Sequence, residues 1–201
     1  GHAARLHTLV NQVKGHLEEI EAEDLVPHVV TRLDRDTSGL VLLAKHRFAH
    51  AVLDDQLQRH EVEKFYVAYP SGILEQNHGE INAPIGRMDG DFIKREVRED
   101  GKPSLTEYWV EDVIGADTPH PMTRVKVQLH TGRTHQIRVH FSNIGHPLVG
   151  DDLYGGPLVH NIQRQALHAY HMRFYDPFVE QYREFETGLP DDLTALNIQK
   201  S

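Results

Sequence analysis

The residues of this chain best suited to chemistry stand together in "RLDRDTSG", residues 32 to 39, where Arg32, Asp34, Arg35, Asp36 and Ser38 directly precede the apolar run Leu40 to Ala44. From this stretch alone the plainer reading is a turn in which Asp34 or Asp36 bonds backbone amides, and nothing local decides between that and a carboxylate held for chemistry. The sixteen histidines raise the question of a metal, with His130, His135 and His140 the obvious cluster. On extended arms His135 and His140 would point to opposite faces, and no nearby carboxylate is spaced as a third ligand, so a metal is not expected. Ser38 is not in a G-x-S-x-G elbow, and neither a P-loop nor a G-x-G-x-x-G fingerprint occurs.

The elements that must position these residues can be read from periodicity. Val10, Val13, Leu17 and Ile20 recur at helical spacing after Thr8, which predicts an N-capped helix from residue 9 to about 22 with the acidic run 18 to 24 on its solvated face. The run 40 to 45 reads as a buried strand, and Phe48, Val52, Leu53 and Leu57 as a second helix. In "KFYVAY", 64 to 69, Phe65, Val67 and Tyr69 alternate with Lys64, Tyr66 and Ala68, giving a half-buried strand with Lys64 and Tyr66 on one face. Residues 104 to 112 and 123 to 130 alternate in the same way. "TGR", 131 to 133, reads as a turn leading into a second hairpin strand, with Gln136, Arg138 and His140 opposite Ile137, Val139 and Phe141. Residues 144 to 156 form a loop punctuated by Gly and Pro. Many short strands with few helices and no regular alternation predict an α+β fold with a mixed or antiparallel sheet.

Composition narrows the classes further. A chain of 201 residues with 39% hydrophobic content can bury one sizeable core, and no cysteine is present, which rules out disulfides and thiolate chemistry and fits a cytoplasmic protein. No stretch is apolar enough for a membrane span, and the N-terminus lacks the pattern of a signal peptide. The formal net charge of -9 opposes indiscriminate binding to nucleic acid, yet Arg32, Arg35, Lys45 and Arg47 cluster beside the opening motif, so a basic cleft on an acidic protein is compatible with the sequence.

Taken together, "RLDRDTSGLVLLAKH", "EKFYVAYPSG", "INAPIGR", "LHTGRTHQIRVHFSNIGHPLVGDDLYGG" and "QALHAYHMRF" resemble, in order and spacing, the RluA-type pseudouridine synthases over residues 8 to 192. The resemblance implies an α+β catalytic fold on a bent, mixed, mostly antiparallel sheet flanked by helices and loops, and isomerisation of uridine in ribosomal or transfer RNA. It implies that Asp34 is the essential carboxylate, that Arg138 pairs with it and that Tyr66 stacks on the target base. Leu167 matches the apolar residue of the base pocket, and Arg32 the arginine that helps to hold the gap left by the flipped nucleotide. Lys64 and Arg133 become candidates for phosphate contacts, with solvated surface charge the plainer reading of each. No metal or organic cofactor is called for, and the chain is taken as a monomer.

Two departures from the family pattern stand out. Thr31 occupies a position where the family usually has His or Asn. Relatives also begin with a strand and a "KP"-type loop, often behind a separate RNA-binding domain. Residues 1 to 201 are therefore expected to form a single catalytic domain without the usual N-terminal strands or that extra domain. The competing classes are an RNA-binding relative without turnover and a metal-dependent hydrolase. A pure binder would need the arginines and the aromatic residue but not Asp34.

Overall fold

A computed structural model describes residues 8–198. They fall into two compact units, although no linker is visible in the sequence: residues up to Leu33 with Val41–Glu61, and Asp34–Leu40 with residues from Val62 onward. In the first unit, α1 (Leu9–Glu19) starts at Thr8, whose side chain accepts a hydrogen bond from the Asn11 amide at 3.3 Å, as the capping pattern predicts. Helix α2 (Arg47–Gln58) buries Ala49, Leu53 and Gln56, while Phe48 is exposed. Two short strands, β1 (His28–Val29) and β3 (Leu43–Ala44), pair antiparallel. Thr31 is buried, and its hydroxyl accepts from the Leu42 amide at 2.8 Å, so it serves local structure.

The expected strand over 40 to 45 is not one strand. Only Leu43–Ala44 pairs in the first unit, whereas β2 (Ser38–Gly39) and the Leu40 amide bond to a strand of the second. A short apolar run divided between two partners carries no mark of the division.

The second unit is built on a seven-stranded sheet. Its strands are β4 (Glu63–Ala68), β5 (His78–Asn82), β8 (Leu105–Ile114), β9 (Met122–Leu129), β10 (Leu167–Asp176) and β11 (Gln181–Glu186), with β2 beside β10. The order is β11-β10-β4-β9-β8-β5, antiparallel throughout except for the parallel pairing of β2 with β10. This is the expected mixed, mostly antiparallel α+β arrangement. Register shifts at Ala169/His171 and Val110/Asp112 mark bulges, where a strand bends. Because β4 is central, Tyr66 and Ala68 are buried as well as Val67 and Tyr69, so its second half is covered on both faces, while Glu63, Lys64 and Phe65 are half-buried. Val67 and Tyr69 enter a core with Met122, Val149, Leu193 and Leu196, the last two from α4 (Asp191–Leu196). A separate hairpin pairs β6 (Ile85–Arg87) with β7 (Arg95–Val97).

The predicted hairpin strand after "TGR" is instead a helix, α3 (Gln136–Asn143), and β9 pairs with β8. Gln136 to Phe141 are all buried. A short helix covered on every side has no polar face to reveal its period, and Ile137, Val139 and Phe141 then imitate a strand. The Gln136 amide explains the local choice. Its oxygen accepts from the Thr131 hydroxyl (2.8 Å) and the Arg133 amide (3.0 Å), and its nitrogen donates to the Leu105 carbonyl and the Thr106 hydroxyl, both at 3.0 Å. That side chain ties the turn to β8 and starts the helix. His140 is fully buried: Nε2 donates to the Ala83 carbonyl and Nδ1 accepts from the Thr106 hydroxyl, both at 2.8 Å. It is a neutral structural histidine.

Burial holds His140 below the ordinary histidine pKa, against the opposing hydrogen bond to Ala83. The unfolded chain therefore takes up a proton that the folded one refuses. The stability tied to that neutral ring is complete above the ordinary histidine pKa and is lost as pH falls through it. Urea midpoints should fall between about pH 7 and pH 5, and His140→Gln, although less stable at neutral pH, should show a shallower decline.

Candidate active site

Asp34 opens the loop that leads into β2. The loop turns on a hydrogen bond from the Thr37 amide to the Asp34 carbonyl at 3.0 Å, with Asp36 in the left-handed region at φ 69°. Asp tolerates that conformation, and the Asp36 carboxylate, largely exposed, lies 3.8 Å from Arg35. Asp36 therefore shapes the turn and Asp34 is the residue presented by it.

The loop is anchored from 164–169. Arg164 donates to the Asp36 carbonyl (3.0 Å) and the Ser38 hydroxyl (3.0 Å), and is itself gripped by Asp192 at 2.7 and 3.1 Å. Gln165 donates to the Arg35 carbonyl (2.7 Å) and the Thr37 hydroxyl (2.9 Å). Ser38 also bonds His168 at 2.8 Å. Gly39, at φ 124°, lies so close to β10 that a Cβ would stand 2.2 Å from the Ala169 oxygen, so only glycine fits.

Facing this loop is Arg138, from α3. One terminal nitrogen lies 3.7 Å from the Asp34 carboxylate. Its main grip is elsewhere: Nε and Nη2 form a fork with Asp151 at 2.8 and 2.9 Å, and the guanidinium carbon sits 5.0 Å from the Tyr154 ring centroid. The side chains of Asp151, Arg138 and Asp34 are 0%, 7% and 23% exposed, so of the two carboxylates only Asp34 can meet a ligand. Burial opposes the charge on Arg138, but the hydrogen bonds to Asp151 and the field of both carboxylates outweigh it and raise its pKa above the ordinary value.

Two further groups complete the cluster. The Tyr154 hydroxyl accepts from the Arg95 amide (3.0 Å) and bonds His135 Nδ1 at 2.6 Å. Burial pushes the tyrosine up to about 12. His135, at φ 57° just before α3, is pushed down by burial and by Arg138 and Arg95, against the opposing pull of Asp34. Tyr66 lies within the field of Asp34; burial, with that carboxylate adding, pushes its phenol well above the ordinary value. The phenol stays protonated, so Tyr66 can offer a ring face but not a ready base.

The structure thus brings Asp34, Arg138 and Tyr66 together. Leu167 is buried at the start of β10, beside Ala68 of β4. Lys64, half-buried, has its ammonium beside Gly132, where a Cβ would stand 3.3 Å from it, and burial lowers its pKa. Arg133 donates to the Pro103 carbonyl at 3.1 Å. Arg32 belongs to the first unit and is exposed. Asp151, Tyr154, Arg164 and Gln165 were not singled out from the sequence; residues 144 to 156 read there only as a loop. Among the described residues no group of three His, Asp or Glu side chains is placed to hold a metal, and no helix is long and apolar enough to cross a membrane.

This arrangement of a presented carboxylate, a clamped arginine and a buried tyrosine coincides with a family match: residues 8–143 fit the model for RNA pseudouridylate synthase. The chain belongs to that family, and its motifs and relatives place it with the RluA-type members. Over 169 residues it is 46% identical to an uncharacterised RNA pseudouridine synthase, YjbO, of Bacillus subtilis, covering 84% of this chain and 58% of the relative. It is 39% identical to ribosomal large subunit pseudouridine synthase D of Nitrosomonas europaea, covering 94% and 55%. The chain therefore spans under two thirds of the length of these relatives. Among solved structures, human RNA pseudouridylate synthase domain containing 1 matches at a TM-score of 0.77 and 28% identity, over 91% of this chain and 74% of that one.

Removing Asp151 would leave a buried guanidinium without its fork. Asp151→Ala should lose about 3 kcal/mol of stability in urea denaturation, the usual penalty for breaking a buried pair; a loss near zero would show that Asp34 alone holds Arg138.

Proposed function

We propose that this protein isomerises uridine to pseudouridine in RNA, with Asp34 as the carboxylate that acts on the ribose. The observation that carries the reading is the Asp34–Arg138 pair, in which the arginine is fixed by a second, wholly buried carboxylate so that the first is left reachable. A hydrolase needs a second acid to protonate its leaving group and a water to finish the reaction. Here the leaving group is uracil, whose anion is delocalised and never departs, so one carboxylate suffices.

In the reaction the bond from ribose C1′ to N1 breaks, the uracil turns in place, and C1′ joins C5. The proton of C5 is then lost and N1 gains one. Asp34 acts either by attacking C1′ or by taking the C2′ proton on a glycal route. Arg138, beside that carboxylate, aims it. Tyr66 stacks on the flipped base, and Leu167 lines the apolar side of the pocket. Water must be excluded while the base is free. Lys64 and Arg133 take phosphates, and Arg32 is assigned to the gap left by the flipped nucleotide on the strength of the resemblance. No metal or organic cofactor enters.

We take the substrate to be ribosomal large-subunit or transfer RNA, supported by the name of the Nitrosomonas relative, and the compartment to be the cytoplasm, supported by the absence of cysteine.

Four variants test the reading on RNA from a strain lacking the enzyme, with new pseudouridines mapped by chemical tagging. Asp34→Asn should lose more than about a thousandfold in turnover while RNA affinity stays within several-fold; wild-type-like turnover would remove Asp34 from the chemistry. Asp36→Asn should stay substantially active, since Asn also accepts the left-handed turn. Tyr66→Phe should retain most activity and Tyr66→Ala very little; equal loss in both would make the hydroxyl, not the ring, the working part.

A further inference from the structure

Outside the Asp34 cluster, the second unit holds a cavity of about 460 Å³ between the β6–β7 hairpin, the segment 100–102 and the turn 132–134. Arg87, Arg95, Lys102 and Arg133 line it. None of these four is within ion-pair distance of a carboxylate among the described residues, in a chain whose formal net charge is -9. The one acid of the lining, Asp100, is already held by Arg98 at 2.5 and 3.0 Å. Arg95 spends one terminal nitrogen on hairpin carbonyls, the closest being Ile93 at 2.9 Å, and Arg133 uses Nε on Pro103, so each retains guanidinium donors.

Asp91 acts on Arg95 and Asp100 lies in the lining, yet four cations around one cavity still repel one another, a cost that a bound anion would offset. Their supports are stiff. A Cβ on Gly101 would stand 2.6 Å from the Ile85 backbone, and Lys64 places a further ammonium beside Gly132. The cavity also adjoins the catalytic cluster: Thr134 precedes His135, and the Arg95 amide donates to Tyr154, which lies against Arg138.

We propose that this cavity is a binding site for phosphodiester groups of the RNA strand beside the target uridine, with Arg87 and Lys102 as its unassigned ligands and Arg133 shared with the site already described. The inference rests on the RNA reading of the function. It explains how an acidic protein grips a polyanion: four cations are gathered around one cavity, next to the carboxylate that acts.

The test uses the full chain, a labelled oligouridylate as probe, and the variants Arg87→Gln, Lys102→Gln and the double, with exposed Lys14→Gln as a control for bulk charge. Affinity is measured across salt concentrations. The double variant should bind about tenfold more weakly near physiological salt, and its slope of log affinity against log salt should fall by about one to one and a half, as for two lost phosphate contacts on a single strand. Lys14→Gln should stay within about twofold of wild type. On RNA that the wild type modifies, the double variant should raise KM about tenfold with kcat nearly unchanged. Unchanged affinity and slope in the double variant would overturn the proposal. So would inorganic phosphate raising the melting temperature of the wild type but not the double variant while both bind oligouridylate equally, since the cavity would then serve a small free anion. If the wild type modifies no RNA but the affinity difference persists, the isomerase reading fails and the cavity assignment stands.

Discussion

A buried guanidinium with two carboxylates around it is the constraint from which the site follows. Arg138 could not be 7% exposed without a partner, and Asp151 supplies one with both oxygens. Because that fork uses Nε and Nη2, the remaining terminal nitrogen is left toward Asp34 at 3.7 Å. The longer distance matters. A carboxylate in a tight fork is immobile, whereas one beside a cation held by something else keeps its freedom to move. Division of labour between the two acids is thus set by burial: one fixes the arginine and the other uses it.

The Asp34 loop is held by equally indirect means. No regular element carries Asp34 itself; Arg164, Gln165 and His168 hold the loop through its carbonyls and hydroxyls, and a two-residue parallel pairing fixes Ser38 and Gly39 on β10. β10 also lies against β4, where Ala169 is opposite Tyr66. The Tyr66 ring and the Asp34 loop are therefore referenced to one strand, which keeps the two in a fixed relation.

How much of this was legible in the sequence depended on the range of each interaction. Helices α1 and α2 and strands β4, β8 and β9 announce themselves through periods of 3.6 or 2, because each has at least one face that differs from the other. Helix α3 does not, being buried all round, and what specifies it is the four-way bonding of Gln136 to groups on two segments, the turn 131–133 and β8. Strand β4 was placed correctly but its burial was underestimated, since central position in a sheet is a property of other strands' pairing. Asp34, Tyr66 and Arg138 were legible only as members of a family pattern. Asp151 lies inside a stretch of that pattern but was given no role, because an ion pair leaves no periodicity, and Arg164 escaped because its bond to the Asp36 carbonyl spans 128 residues.

Tyr154 deserves a last consideration. Its hydroxyl receives the Arg95 backbone amide from β7, while its ring lies against Arg138. A peptide group of the hairpin and the cation that orients the carboxylate thus share one side chain. The hairpin backbone and the seating of the arginine are thereby tied to one residue. A change at position 154 therefore acts on the hairpin and on the arginine at once, so neither can be altered through it without the other.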